Sequence, residues 1–203
     1  MALKFANNQS LTGTTALPSA VPTDNLILIS TQTASNSSSL SFTTGLNGTY
    51  DEYIFSLINI KPATDDVQLQ FNLSTDSGSN YNVTKTTTFF RTGHYESDAS
   101  TFFSYETAFD LAQSTSFQIL NNSIGNGADE NACGYLLLYN PSSTTYVKHY
   151  ISRVNSLRYD DASMEGYSAG YANTTSAINA IRFQMSSGNI ADGTIKLYGV
   201  KKS

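Results

Sequence analysis

Apolar residues along this chain fall into short runs and period-two alternations, separated by stretches bearing Gly, Asn, Ser and Pro. The clearest segment is 49–81. Residues 53–60 are apolar at nearly every position, the pattern of a strand covered on both faces. Residues 67–73 alternate, with Val67, Leu69, Phe71 and Leu73 on one side and Gln68, Gln70 and Asn72 on the other. The polar link 61–66 carries Pro62, which cannot donate to a central ladder. We read the two runs as a strand pair. A strand covered on both faces beside one wet on one face suits a sandwich of two sheets.

The same reading places strands at 26–29, 40–43, 81–91, 116–120, 134–139 and 146–154, a weaker one at 164–171, and others at 177–185 and 193–200. Residues 134–139 read as fully buried. The last strand, 193–200, is expected beside 53–60 because both are apolar and aromatic. Turns or loops are expected at 45–48, 76–80, 121–131, 140–143, 156–163 and 186–193. Residues 101–109 are ambiguous, and only 105–112 approach a helical pattern, for one or two turns. The fold expected is all-β: a jelly-roll-like antiparallel β-sandwich of about 8–10 strands forming one domain over 26–203. Residues 1–25 are small, polar and aperiodic, with Pro18 and Pro22. They read as an extended N-terminal arm, with Leu3, Phe5, Leu11 and Leu17 as candidate anchor positions on a partner or neighbouring subunit.

Composition narrows the function classes. The chain has 203 residues and a single cysteine, Cys133, so an intrachain disulfide is excluded. Preceding an apolar run, Cys133 reads as a small apolar residue. Charged residues are 13% and the net charge is −5, which disfavours a phosphate-backbone binder; the one basic cluster is Lys201-Lys202. Ser, Thr and Asn are abundant, yet 13 Tyr and 11 Phe are spread along the chain, as in a folded protein with an uncharged polar surface. The start lacks the apolar core of a signal peptide, no run reaches transmembrane length, and the Asn-x-Ser/Thr sequons read as incidental.

Candidate chemistry is sparse. His94 and His149 are far apart without a metal-binding spacing, and His149 reads as a packed strand residue. No nucleophile elbow or phosphate loop is present. Carboxylates such as Asp65-Asp66 and Asp160-Asp161 fall in loops, and segments 76–80 and 126–131 lack the spacing of a calcium loop. The expectation is a non-enzyme without cofactor or metal. Tyr159, Tyr167 and Tyr171 lie near Gly and Ser in one segment. They fit a glycan platform, a subunit interface or the core.

The phrases ALKFANNQSLTG, TYDEYIFSLINIKPATDDVQLQFNLSTDSGSNYNVTKTTTFFR, NPSSTTYVKHYISR and INAIRFQMSSGNIADGTIKLYGVKK resemble virion structural proteins of marine tailed phages, such as those infecting cyanobacteria. The resemblance covers most of the chain. It implies a jelly-roll-like sandwich displayed on the particle as a head decoration, fibre or tail-associated protein. It also implies a homo-oligomer, a trimer favoured, that contacts capsid or tail proteins. The chain would fold in the host bacterial cytoplasm and reside in the virion. The alternative expectations are a glycan-binding module for host surface sugars and a polysaccharide depolymerase. The depolymerase requires two facing carboxyl groups.

Overall fold

A computed structural model of the chain describes residues 25–202. The expected arm, with Leu3, Phe5, Leu11 and Leu17, lies outside the described residues except for Asn25. Within them are twelve strands: β1 (Leu26–Thr33), β2 (Leu40–Phe42), β3 (Glu52–Pro62), β4 (Val67–Ser74), β5 (Lys85–Tyr95), β6 (Thr101–Tyr105), β7 (Gln118–Ile124), β8 (Ala132–Tyr139), β9 (Lys148–Leu157), β10 (Ala162–Ala172), β11 (Ala180–Met185) and β12 (Ile190–Val200). One 3₁₀ turn, Thr107–Phe109, stands where a short helix was expected.

The strands form two antiparallel sheets. The larger has eight strands in the order β1-β12-β3-β8-β9-β10-β5-β6, and the smaller four in the order β2-β11-β4-β7. Eight of the twelve pair in a nested way: β1 with β12, β2 with β11, β3 with β8 and β4 with β7. That nesting is a jelly roll, a long antiparallel ribbon folded over into two sheets. The other four strands are two insertions. Strands β5 and β6 lie between β4 and β7 in the chain, β9 and β10 between β8 and β11, and all four extend the larger sheet past β8.

One core lies between the sheets. Period-two alternation sends Tyr53, Phe55 and Leu57 of β3 and Leu136 and Leu138 of β8 inward to meet Leu69, Phe71 and Leu73 of β4 and Phe183 of β11, all buried. Aromatic rings fill its centre, with Phe55 5.4 Å from Phe42 and 5.5 Å from Phe183, and Phe71 4.9 Å from Tyr150. Under the insertions, Phe89 packs edge-on to Phe109 at 5.4 Å. Gly166 lets β7 come close there, since a Cβ on it would sit 2.7 Å from the Leu120 carbonyl oxygen.

Several expectations need correction. Segments 53–60 and 67–73 are not a hydrogen-bonded pair, because β3 and β4 belong to opposite sheets. Each must turn its apolar row to the same core, and the 61–66 link carries the chain across. The strand 193–200 does pair with 53–60, Leu197 opposite Phe55. Neither β3 nor β8 is covered on both faces: Ile54, Ile58 and Leu137 are half-buried, and Tyr135 is exposed. The loop expected at 156–163 is narrower, because β9 runs to Leu157 and β10 starts at Ala162. Residues 121–124 belong to β7 rather than to a turn. The ambiguous 101–109 begins as β6.

Asn72, assigned to the wet face by alternation, is buried. Its amide nitrogen donates to the carbonyls of Tyr81 (2.7 Å) and Thr115 (2.9 Å), at either root of the β5–β6 insertion. Its side-chain oxygen accepts from the buried Lys85 ammonium at 2.5 Å, which also donates to the Val83 carbonyl at 2.8 Å. Gln118 bridges Thr87 (2.5 Å) and the Phe109 carbonyl (3.1 Å), and Asn121 donates to the Val154 carbonyl on β9 at 2.7 Å. Buried amides thus fasten both insertions to the jelly roll, since a buried polar group without a partner is costly. Burial disfavours the charged form of Lys85 and lowers its pKa to about 7.

Phe55→Ala should destabilise the fold by about 3–5 kcal/mol in urea unfolding, as for a large core truncation; a loss below about 1 kcal/mol would place Phe55 outside the core. Between pH 7 and the ordinary lysine pKa near 10.5, the unfolded chain holds a proton on Lys85 that the folded chain releases. Stability should therefore rise with pH across that window relative to Lys85→Met, by at most about 1.4 kcal/mol per pH unit. Parallel stability curves for the two proteins would contradict this placement of the ammonium.

Candidate functional site

The insertions leave the larger sheet twice as wide as the sheet that covers it, and among the described residues no layer lies on its outer face. Cross-strand register sets which side chains line up there. Leu28 pairs with Tyr198, Tyr198 with Ile54, Ile54 with Leu137, Leu137 with Ile151, and Ile151 with Ala169. All six share the outward pleat, so one uncharged apolar row crosses six adjacent strands. Leu28 and Ile151 are 52% and 47% exposed, values foreign to a core position. Two shallow depressions flank the middle of the row. One of about 580 Å³ is bordered by Leu26, Ile54, Leu137 and Tyr198, and one of about 520 Å³ by Thr88, His149, Ile151 and Tyr171.

On one side of this row runs an aromatic ladder, Tyr135–Arg153–Tyr167–Phe90–Tyr105, also in register. Tyr167 stacks on Phe90 with centroids 4.6 Å apart and planes within 8°. The Arg153 guanidinium carbon lies 5.5 Å from the centroid of the Tyr167 ring. Glu165, one pleat further along, accepts from the Arg153 Nε–H and from the Tyr167 hydroxyl, the latter at 2.7 Å. The Arg153 hydrogen bond is the main cause holding the Glu165 carboxyl below its ordinary value, and the hydrogen bond to Glu165 raises the Tyr167 phenol. The three groups satisfy one another and stiffen the ladder. Beyond it, Thr92, His94, Asn155, Ser163 and Glu165 line a polar depression of about 280 Å³.

Tyr159, Tyr167 and Tyr171 do not converge. Tyr167 and Tyr171 share the outward face of β10 with Ala169 between them, about 13 Å apart along the strand. Tyr171 lies tilted beside His149 at 6.0 Å. Tyr159 sits in the turn after β9, where Arg158 spans the rings of Tyr159, Tyr95 and Phe102 at 5.7, 6.0 and 5.6 Å. None of the three enters the core. His149, expected packed, is exposed on β9. Cys133 is exposed as well, its sulfur accepting from the Asn59 N–H at 3.2 Å. Asp76 is held near pKa 2 by hydrogen bonds from Ser74 and Asn80, so its carboxylate is engaged within its own turn. Among the described residues, no three His, Cys, Asp or Glu side chains come together as a metal site, and no helix is long and apolar enough to cross a membrane.

Sequence reasoning missed Phe90, Arg153, Glu165 and the apolar row. The available signal was the excess of apolar residues at 53–60 and 134–139, which marks an uncovered outer face as readily as a covered one. Comparison with protein-family models, with curated proteins and with solved structures found no match.

Glu165→Gln should lower the titration of Tyr167 toward that of an ordinary tyrosine and leave unchanged that of Tyr150, whose phenol is raised by burial, read by NMR of ¹³Cζ-labelled tyrosine. An unmoved Tyr167 resonance would contradict the Glu165–Tyr167 hydrogen bond.

Proposed function

We propose that this chain is a non-catalytic structural protein of a tailed-phage particle, and that it takes its place by burying the outer face of its eight-stranded sheet. The observation that carries this reading is the apolar row across β1, β12, β3, β8, β9 and β10. With a strand spacing of about 4.8 Å the apolar row is about 24 Å long, and with its two flanking rows, which also carry Glu52, Lys196, Ser56 and Arg153, the face spans about 500 Å². An apolar line of this length rimmed by polar residues is the kind of surface that meets a partner. The phage-like phrases supply the kind of assembly: a capsid decoration, fibre or tail-associated protein present in several copies. The uncharged polar surface and the self-satisfied Arg153–Glu165–Tyr167 group suit a scaffold rather than a reacting centre.

A glycan-binding role has one observation in its favour, the polar depression beside the ladder, whose hydroxyl, amide and carboxylate groups match the hydrogen-bonding needs of a sugar. The ladder itself offers little stacking surface, because Phe90 and Arg153 flank the Tyr167 ring.

An antibody raised against the purified chain should decorate intact particles from lysates of a host carrying the gene, seen by electron microscopy. Label confined to particle-free fractions would overturn the assignment. A sugar retained on a glycan array by the wild type and lost by Asn155→Ala would favour the glycan reading instead.

A further inference from the structure

We propose that a second copy of this chain covers the outer face, related by a two-fold axis that runs across the strands along the Leu28–Ala169 row. The inference rests on the outer face being the interaction surface, and it names what that surface meets.

Chemistry selects the same face of another copy as the mate. The outer face of the smaller sheet presents Ser41, Gln68, Gln70, Arg182 and Gln184, which offer nothing apolar to match. Of the two outer sheet faces, the one that complements the apolar row is the face that carries the row itself. A surface that pairs with its own copy does so about a two-fold axis.

Charge then selects the axis. Lys196 lies in the row on one side of the apolar line and Glu52 in the row on the other, on the neighbouring strands β12 and β3. Lys196 is opposite Ser56, and Glu52 opposite Val200, so the two are offset by four residues, about 13 Å, within one chain. Neither has an ion-pair partner among the described residues. Rotation about the apolar row exchanges its two sides. Glu52 of the partner subunit then lies over Ser56, offset sideways from Lys196 by one strand spacing of about 4.8 Å across the ~10 Å between layers, a span the two long side chains bridge, and the reciprocal pair forms by symmetry. Rotation about the other in-plane axis, through Leu137 along the strand, would set Glu52 over His149 and Lys196 over Tyr167, one strand spacing from the like charge of Arg153.

Packing agrees. The rotation keeps the strands of the two sheets aligned, the usual stacking class, with about 10 Å between layers for side chains to fill. The patch of about 500 Å², raised by side-chain relief, approaches the ~800 Å² per partner of a standard interface.

Sedimentation of the full chain should show a concentration-dependent dimer. Leu137→Arg should leave a monomer with unchanged circular dichroism. Glu52→Lys and Lys196→Glu should each weaken the dimer about tenfold, and the double charge swap should restore it. In a Cys133→Ser background, Ile54→Cys and Ile151→Cys should each couple to itself through a short bis-maleimide that spans the ~10 Å between layers, since every residue on the axis faces its own copy. A chain that stays monomeric at all concentrations overturns the two-fold pair; if it still decorates particles, the particle assignment stands and a different virion protein covers the face. A trimer, a dimer that survives Leu137→Arg, or a double swap that fails to restore association also overturns it.

Discussion

Everything in this fold depends on the chain closing on itself: β12, the last of the described strands, lies between β1, the first of them, and β3. No local contact can hold that arrangement. The nested pairs β1·β12 and β2·β11 join residues more than a hundred positions apart, so loop-closure entropy is met before the pairing is gained. The compensation is the shared core. Phe55, Phe71 and Phe183 come from strands in two sheets and touch only when the ribbon has folded over. Because both insertions then add strands on the same side, past β8, the larger sheet outgrows its cover. The same lengthening extends the outer-face row, because the inserted strands β9 and β10 add Ile151 and Ala169 to it.

Buried polar groups keep that lengthened part in place. Asn72, Gln118 and Asn121 stand at the joints between insertions and jelly roll, each with hydrogen bonds that no apolar residue would supply. Lys85 is the extreme case, a buried ammonium held by an amide and a carbonyl oxygen without a carboxylate among those partners. Such groups add little net stability but penalise wrong registers, where they would be left unpaired. The outer face needs this precision, because the apolar row exists only if six strands hold one register.

The all-β class, the sandwich and the adjacency of 193–200 to 53–60 were legible in the sequence. They follow from period-two patterning and from the need of two apolar strands for central places. The assignment of β3 and β4 to opposite sheets was not, since alternation reports which face is apolar and not which strand lies alongside. Asn72 misled for the same reason: its alternation is correct, but segments distant in sequence fold over it. The surface was least legible. Tyr167 could be picked out as an aromatic near glycine, whereas its partners Phe90 and Arg153 come from β5 and β9, placed by register rather than by proximity along the chain. Ile54 and Leu137 looked like core because apolarity alone does not say whether a second layer is present.

The central claim is that the outer face of the eight-stranded sheet is the working surface of the molecule. Hydroxyl-radical footprinting of the chain, free and within its assembly, tests it most directly, because the oxidation of individual side chains reads their exposure. The account predicts that Leu137, Ile151 and Tyr135 lose reactivity on assembly while Tyr81, on the side of the smaller sheet, keeps it. Undiminished oxidation of Leu137 and Ile151 in the assembled protein, with protection at Tyr81, would contradict it.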